Sequence, residues 1–237
     1  MKPVTRRAFS LAAAGLIAGP RLAFSAVRSV PMLLDHILLG CTDLDAGIDY
    51  VYQRTGVRAA PGGVHPGAGT KNALLSLGKS RYWEIIAPDP LQPASTDPRR
   101  LASLKGPALV GWAIHRHDLD EFAARLRRAG VECVGPNPGS RARPDGSTLR
   151  WKSLTLKDDS GGVLPFFIEW DSHSLHPSSD APPGCRLGDL RIDAPDPSAL
   201  KALAAKLELE VQIRKSDELR LAATIVGRKG PVPLLSR

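Results

Sequence analysis

The sequence predicts an α+β protein built from repeated strand–helix–strand–strand–strand units. An apolar strand with a polar interruption, Leu34-Asp35-His36-Ile37-Leu38-Leu39-Gly40, runs directly into an acidic helix start, Thr42-Asp43-Leu44-Asp45. The helix starts Asp43, Asp118 and Asp196 lie 75 and then 78 residues apart, so the plan recurs at a nearly fixed period. With 22 Gly and 21 Pro against few aromatics, the 237 residues suit many short strands joined by turns, in one large domain or two small ones.

In the first unit, 33–90, residues 33–41 read as a buried strand ending at Gly40. Asp43 caps a helix whose Leu44, Ile48 and Val51 form one apolar stripe, and Gly56 sits where a left-handed residue closes it. Residues 57–60 read as a short strand and 61–70 as a Gly-rich loop holding His65. A hairpin, 72–77 and 82–87, turns across Gly78-Lys79-Ser80. Alternation places Tyr82, Glu84 and Ile86 on one face and Trp83 and Ile85 on the other. A proline-rich linker, 91–107, precedes the second unit, 108–171. Its first strand is 108–114, Asp118 and Glu121 form a capping box over the helix, and Gly130 stops it. Residues 131–134 are short and extended, 136–147 a loop, and 149–156 with 163–170 a hairpin. After a second linker, 172–186, the third unit, 187–237, reads as a partial copy, a truncated βαββ, with Asp196-Pro197 opening its helix.

Formal net charge is +8, but Lys2, Arg6, Arg7 and Arg21 lie in an acid-free leader; without residues 1–26 it falls to +4. The remaining charge is dispersed, with no basic stripe interleaved with aromatics, which argues against a nucleic-acid partner. Thr5-Arg6-Arg7-Ala8-Phe9-Ser10-Leu11 resembles a twin-arginine export signal. The apolar stretch after it is shorter than the roughly 20 residues a membrane span needs, and Ser25 and Ala26 both offer cleavage. The expectation is therefore a signal peptide over 1–26, passage through the twin-arginine machinery, a periplasmic or secreted mature protein, and no membrane span in it. Cys41, Cys133 and Cys185 are odd in number and widely spaced, so they read as small thiols in or beside strands, not as a zinc knuckle.

Several stretches carry a family resemblance: Asp35-His36, Asp43-Leu44-Asp45, Pro61-Gly62-Gly63-Val64-His65-Pro66-Gly67, Gly69-Thr70-Lys71-Asn72-Ala73-Leu74-Leu75, Glu84-Ile85-Ile86-Ala87-Pro88-Asp89-Pro90 and Pro165-Phe166-Phe167-Ile168-Glu169-Trp170. Together they resemble the glyoxalase-like branch of the vicinal oxygen chelate superfamily, in which paired βαβββ modules curl into a cup. The resemblance implies a divalent metal (Zn, Ni, Mn, Fe or Co) held by His36, Glu84 and Glu169. Counting seven residues back from the helix start gives His36 from Asp43 but Gly111 from Asp118, so the fourth ligand is missing. His115 and His117 share that strand face but sit about 13 and 20 Å further along.

One imidazole and two carboxylates suit a hard-to-borderline ion, which would polarise a carbonyl while Glu169 or Glu84 takes a proton. Residues expected at the substrate are His65, Thr70 and Asn72 from the glycine-rich stretch, His115, and Arg143 and Arg150 from the second-unit hairpin. The leading functional expectation is a metal-dependent lyase or isomerase acting on a small oxygen-rich metabolite bound between the modules. A non-catalytic small-molecule-binding protein of the same fold and a ring-cleaving dioxygenase are the alternatives. A homodimer is expected on the ground that exposed strand edges need covering.

Overall fold

The computed structural model describes residue 1 and residues 30–92, 100–143 and 145–236. The expected export segment beyond Met1 and residues 93–99 of the first linker lie outside the described residues. The first unit is β1 (Leu34–Gly40), α1 (Leu44–Thr55), β2 (Ala60–His65), β3 (Thr70–Ser76) and β4 (Tyr82–Pro88). The second is β5 (Ala108–His115), α2 (Leu119–Arg128), β6 (Cys133–Ala142), β7 (Thr148–Leu156) and β8 (Phe166–Trp170). Their strands form one eight-stranded sheet, β2-β3-β4-β1-β5-β8-β7-β6. β1 pairs with β4 in parallel and β5 with β8 in parallel, while β1 and β5 join the units antiparallel at the centre. The sheet curls until its edges meet: a Cβ on Gly63 of β2 would stand 2.7 Å from the Ala142 carbonyl of β6. Only a residue without a side chain permits that approach.

Alternation divides each strand between the two faces of the curl. Ile37, Leu39, Trp83, Ile85, Trp112, Ile114 and Phe167 are fully buried in the core shared with the helices. α1 carries Ile48 and Val51 to that face, and Gly47 lets it close on Ile85. α2 brings Phe122, whose ring meets Phe167 edge-on at 4.7 Å between centroids. Phe167→Ala is therefore expected to cost about 3–5 kcal/mol in a urea titration, whereas Arg150→Ala, at an exposed position, should stay within about 0.5 kcal/mol.

Several local expectations change in the folded chain. Half of the stretch expected as a Gly-rich loop, residues 61–65, is strand β2, paired with β3 and bulged between Pro61 and Gly63, and residues 66–69 form the turn between them. The loop expected over 136–147 is largely strand β6, with a bulge between Val134 and Asn137 and a cis Gly135–Pro136 bond. Both are edge strands, where Pro and Gly are tolerated because one row of backbone groups needs no ladder partner. Asp43 caps α1 through the Ala46 amide at 2.8 Å, and Gly56 takes φ 73°, as the sequence predicts. Asp118 makes no cap hydrogen bond, because the Arg116 and Arg125 guanidinium groups occupy its carboxylate and hold its pKa down to about 2.

The C-terminal unit contains β9 (Arg186–Ala194), α3 (Pro197–Lys206), β10 (Gln212–Lys215), β11 (Arg220–Gly227) and β12 (Gly230–Leu235). Its separate sheet runs β10-β9-β11-β12, so the first strand lies between the second and third. In the two preceding units the first strand pairs with the fourth, so the C-terminal unit shares their period and not their pairing. It also has a strand, Gln212–Lys215, absent from the expected βαββ. That segment is short and polar but for Ile213, with no alternation to mark it. Among the described residues no helix is long and apolar enough to cross a membrane. The three thiols are free, and burial pushes Cys41 up to about 12.

Candidate functional site

The inner face of the curl carries His36 and Leu38 from β1, Tyr82, Glu84 and Ile86 from β4, Thr70, Asn72 and Leu74 from β3, and Phe166 from β8. His36 and Glu84 are both buried, with His36 Nε2 3.6 Å from Glu84 Oε2. Asn72 Nδ2 donates to the other Glu84 oxygen at 2.8 Å and also stands 3.3 Å from His65 Nε2. His65 Nδ1 lies 2.9 Å from Thr70 Oγ1. The network assigns His65 a neutral ring with its proton on Nδ1, and burial accordingly pushes its pKa down. Tyr82 stacks on His36 at 4.4 Å between centroids, and Phe166 meets the same ring edge-on at 5.4 Å. Burial raises the Tyr82 pKa well above the ordinary phenol value, so its hydroxyl keeps its proton.

Asp35 organises the pole of this cluster beside β5 and β8. Strict alternation would send Asp35 and His36 to opposite faces, but a bulge against β5 between Leu34 and His36 brings the two side chains together. His36 Nδ1 stands 2.7 Å from Asp35 Oδ1. Oδ2 of the same carboxylate receives Trp170 Nε1 at 2.9 Å, His176 Nε2 at 3.2 Å and His115 Nδ1 at 3.3 Å. The Ser178 amide donates to His176 Nδ1, which leaves the His176 proton on Nε2, facing Asp35. Burial by itself would raise the Asp35 pKa, but the three histidines outweigh it and hold the carboxyl well below its usual range. Asp35 is therefore an anion with a set of N–H donors aimed at it.

Of the residues expected at the site, His36, Glu84, His65, Thr70 and Asn72 come together. Four others do not. Glu169 shares the helix-side face of β8 with Phe167, and its carboxylate accepts the Leu119 amide at 2.8 Å, at the start of α2. It supplies the cap that Asp118 does not, and stands apart from His36 and Glu84. Glu169→Ala should therefore destabilise the protein by about 1–2 kcal/mol in chemical denaturation and leave ligand binding in the cup unchanged. His115 serves Asp35 and the exposed ring of His117, 3.2 Å away. Arg143 is tied to Asp180 and the Leu175 carbonyl. Arg150 lies exposed on the same face of β7 as Lys152, which reaches Asp120 on α2.

The expected set His36, Glu84 and Glu169 therefore does not converge, and among the described residues no group of three or more His, Cys, Asp or Glu is arranged to hold a metal ion. On β5, Ala113 stands opposite His36 and Gly111 opposite Leu38, while Phe166 of β8 pairs with Ala113. The second unit thus offers no donor there, and His65 Nε2 is engaged by Asn72. Two ligands from one unit fall short of the three or four that a resident divalent ion uses. Sequence reasoning also missed Asp35, Trp170 and His176, whereas Arg141, beside Arg143 in the second-unit hairpin, was open to a reading as a pocket residue for an anionic substrate. A carboxylate directly before a histidine in an apolar strand was the available signal for Asp35.

A cavity of about 190 Å³ opens inside the curl beside this cluster, lined by Leu38, Thr70, Ile86, Gly111 and Phe166 among others. Thr70 and Phe166 belong to both, one holding His65 and the other lying against His36.

A curled sheet of two βαβββ units around an inward acid–base cluster is the fold of the vicinal oxygen chelate superfamily, whose members often use divalent metals. The chain belongs to the glyoxalase-like domain family, matched over residues 34–208. A hypothetical protein from Staphylococcus aureus superposes with a TM-score of 0.58 at 15% identity, covering 86% of this chain and 85% of that one. Methylmalonyl-CoA epimerase from Mycobacterium tuberculosis gives a TM-score of 0.44 at 27% identity over 60% of this chain and 89% of its own. A Streptomyces coelicolor methylmalonyl-CoA epimerase in complex with 2-nitronate-propionyl-CoA gives 0.45 at 23% identity over 59% and 98%. No curated protein matches the sequence.

Proposed function

We propose that this chain is an exported lyase or isomerase that moves a proton on a small oxygen-rich metabolite held in the cup. The observation behind this reading is the Asp35–His36–Glu84 series. Asp35 is anionic and fixes the proton of His36 on Nδ1, so a neutral His36 would turn a lone pair toward the Glu84 carboxylate 3.6 Å away. Two acceptors face each other stably only with a positive charge or a proton between them. With the proton on His36, Glu84 is a base for a C–H beside a carbonyl, and the imidazolium is the acid for that carbonyl's oxygen. Asp35 stabilises the imidazolium, and Asn72 keeps one Glu84 oxygen in place.

The test is solvent deuterium incorporation, followed by proton NMR, across a panel of 2-oxo acids, 2-hydroxy ketones and 1,2-dicarbonyls. Exchange with the full chain, lost in Glu84→Gln, supports the reading; no exchange in any of them overturns it. A second reading, a binding protein without turnover, is favoured by Asn72 and His36 each standing at one Glu84 oxygen, and would show saturable binding without exchange. Metal analysis of protein purified without chelator addresses the family's metal: a stoichiometric ion lost in His36→Ala would make the 3.6 Å gap a metal position. Export rests on Arg6, Arg7 and the small residues before 27, and is tested by the N-terminus of protein recovered from the periplasm.

A further inference from the structure

A second cavity, of about 210 Å³, lies where the edges of the curled sheet meet, between β2, β3, β6 and the short helical turn Pro177–Ser179. We infer that it binds a small monocarboxylate with an apolar body, held by Arg141. This goes beyond the proton-transfer reading, because the cavity shares no lining residue with the one beside Thr70 and Phe166.

Arg141 lines this cavity and is only 5% exposed. Among the described residues its guanidinium has no carboxylate within ion-pair distance and no hydrogen-bond acceptor. Burial is the largest influence on it and pulls its pKa down, against the more distant charge of Glu84. A buried cation without a partner is costly, and a carboxylate in the cavity would meet the guanidinium fork with two parallel N–H bonds. Its neighbour Arg143 offers no second free charge, because Asp180 already takes it.

The rest of the lining decides what kind of anion fits. Arg143 and Asp180 pair with each other at this cavity, so the one unpaired positive charge, Arg141, shares it with a single unpaired acid, Asp145. That balance accepts a singly charged group and repels a dianion such as a phosphate ester. Asp145 is exposed and its carboxylate is turned to the Ser147 amide and hydroxyl, so it bears on the ligand through charge alone. Pro61, Leu74 and Ala181 supply apolar walls for the remainder of the ligand. The volume admits a molecule of benzoate size and excludes most drug-sized ligands.

The experiment is calorimetric titration of the full chain with benzoate, benzamide and inorganic phosphate. Benzoate is expected to bind with a Kd on the order of 1 mM or tighter, and benzamide and phosphate at least about tenfold more weakly. Arg141→Gln should remove benzoate binding, and Asp145→Asn should tighten it a few-fold. Should Arg141→Gln fail to fold, Ala181→Leu narrows the cavity with the guanidinium untouched and should abolish binding equally. Glu84→Gln removes the more distant charge acting on Arg141 and should tighten benzoate a few-fold at most, whereas it abolishes deuterium exchange, which separates this site from the proton-transfer cluster. Equal binding of benzoate and benzamide, a preference for phosphate, or benzoate affinity indifferent to Asp145→Asn and Ala181→Leu would overturn the inference.

Discussion

Glu84→Gln is expected to lower the rate of substrate deuterium exchange by about 10²–10⁴-fold, the range spanned by loss of a positioned general base. The amide replaces the carboxylate atom for atom. Its oxygen still accepts from Asn72 Nδ2, now at 2.8 Å from Glu84 Oε1, and its NH₂ gives His36 Nε2 the proton that the wild-type gap requires. Stability should therefore change by less than about 1 kcal/mol, so the lost rate cannot be ascribed to unfolding. Glu84→Ala separates the two roles in the other direction. It leaves one Asn72 N–H and His36 Nε2 without a partner in a buried place, at about 1–3 kcal/mol for each, while Asn72 keeps His65 and His36 keeps Asp35. A Gln variant that exchanges substrate protons at the wild-type rate would remove Glu84 from the chemistry. One that unfolds under mild denaturant would show that the carboxylate serves stability first.

The architecture was legible because hydrophobic period and caps agree along the chain. The 75-residue repeat, the Asp43 cap, the Gly56 stop and the Tyr82/Glu84/Ile86 alternation are local facts, each confirmed by the folded chain. The site was legible only where it too is local. Glu84, Asn72 and Thr70 lie on two strands of one hairpin, and His65 is on the strand beside them, so pattern and pairing suffice to bring them together. Glu169 shows where that reasoning runs out. A one-residue difference in which face of β8 looks inward separates a ligand from a helix cap, and nothing within 166–170 marks the choice. What settles it is Phe122 on α2 demanding Phe167, a contact across 45 residues. Asp35 is hidden for a related reason. The bulge that turns it to the side of His36 is a property of pairing with β5, not of the Leu34–Gly40 segment. Arg141 sits on an edge strand whose glycines and prolines mimic a loop, so its burial cannot be read from its neighbours.

Asp35→Ala should cost about 3–5 kcal/mol in urea unfolding, because it strands the Trp170 indole N–H and the inward N–H groups of His36, His115 and His176. The wild-type dependence on acid follows from the same carboxyl. Its pKa is held well below that of an unfolded aspartate, about 3.9, so the folded state binds fewer protons there. The stability it contributes is complete above the ordinary carboxyl range and drains away as pH falls through the depressed folded value. A urea midpoint followed from pH 6 down to pH 3 should therefore fall less steeply in the Asp35 variants than in wild type. Asp35→Asn isolates the chemical role. Its amide oxygen can face Trp170 and the two outer histidines while its NH₂ faces His36 Nδ1, which forces the His36 proton onto Nε2, pointing at Glu84. The ring then donates to the carboxylate as a neutral imidazole, and the proton shared in the proposed mechanism is no longer needed to hold the pair together. Exchange should drop by about 10²–10⁴-fold, as when an imidazole is fixed in the wrong tautomer. Nitrogen-15 chemical shifts of His36 would report the tautomer directly. If Nδ1 keeps its proton in Asp35→Asn, or the exchange rate is unaffected by the changed tautomer, then Asp35 is a structural anion and the acid–base pair works without it.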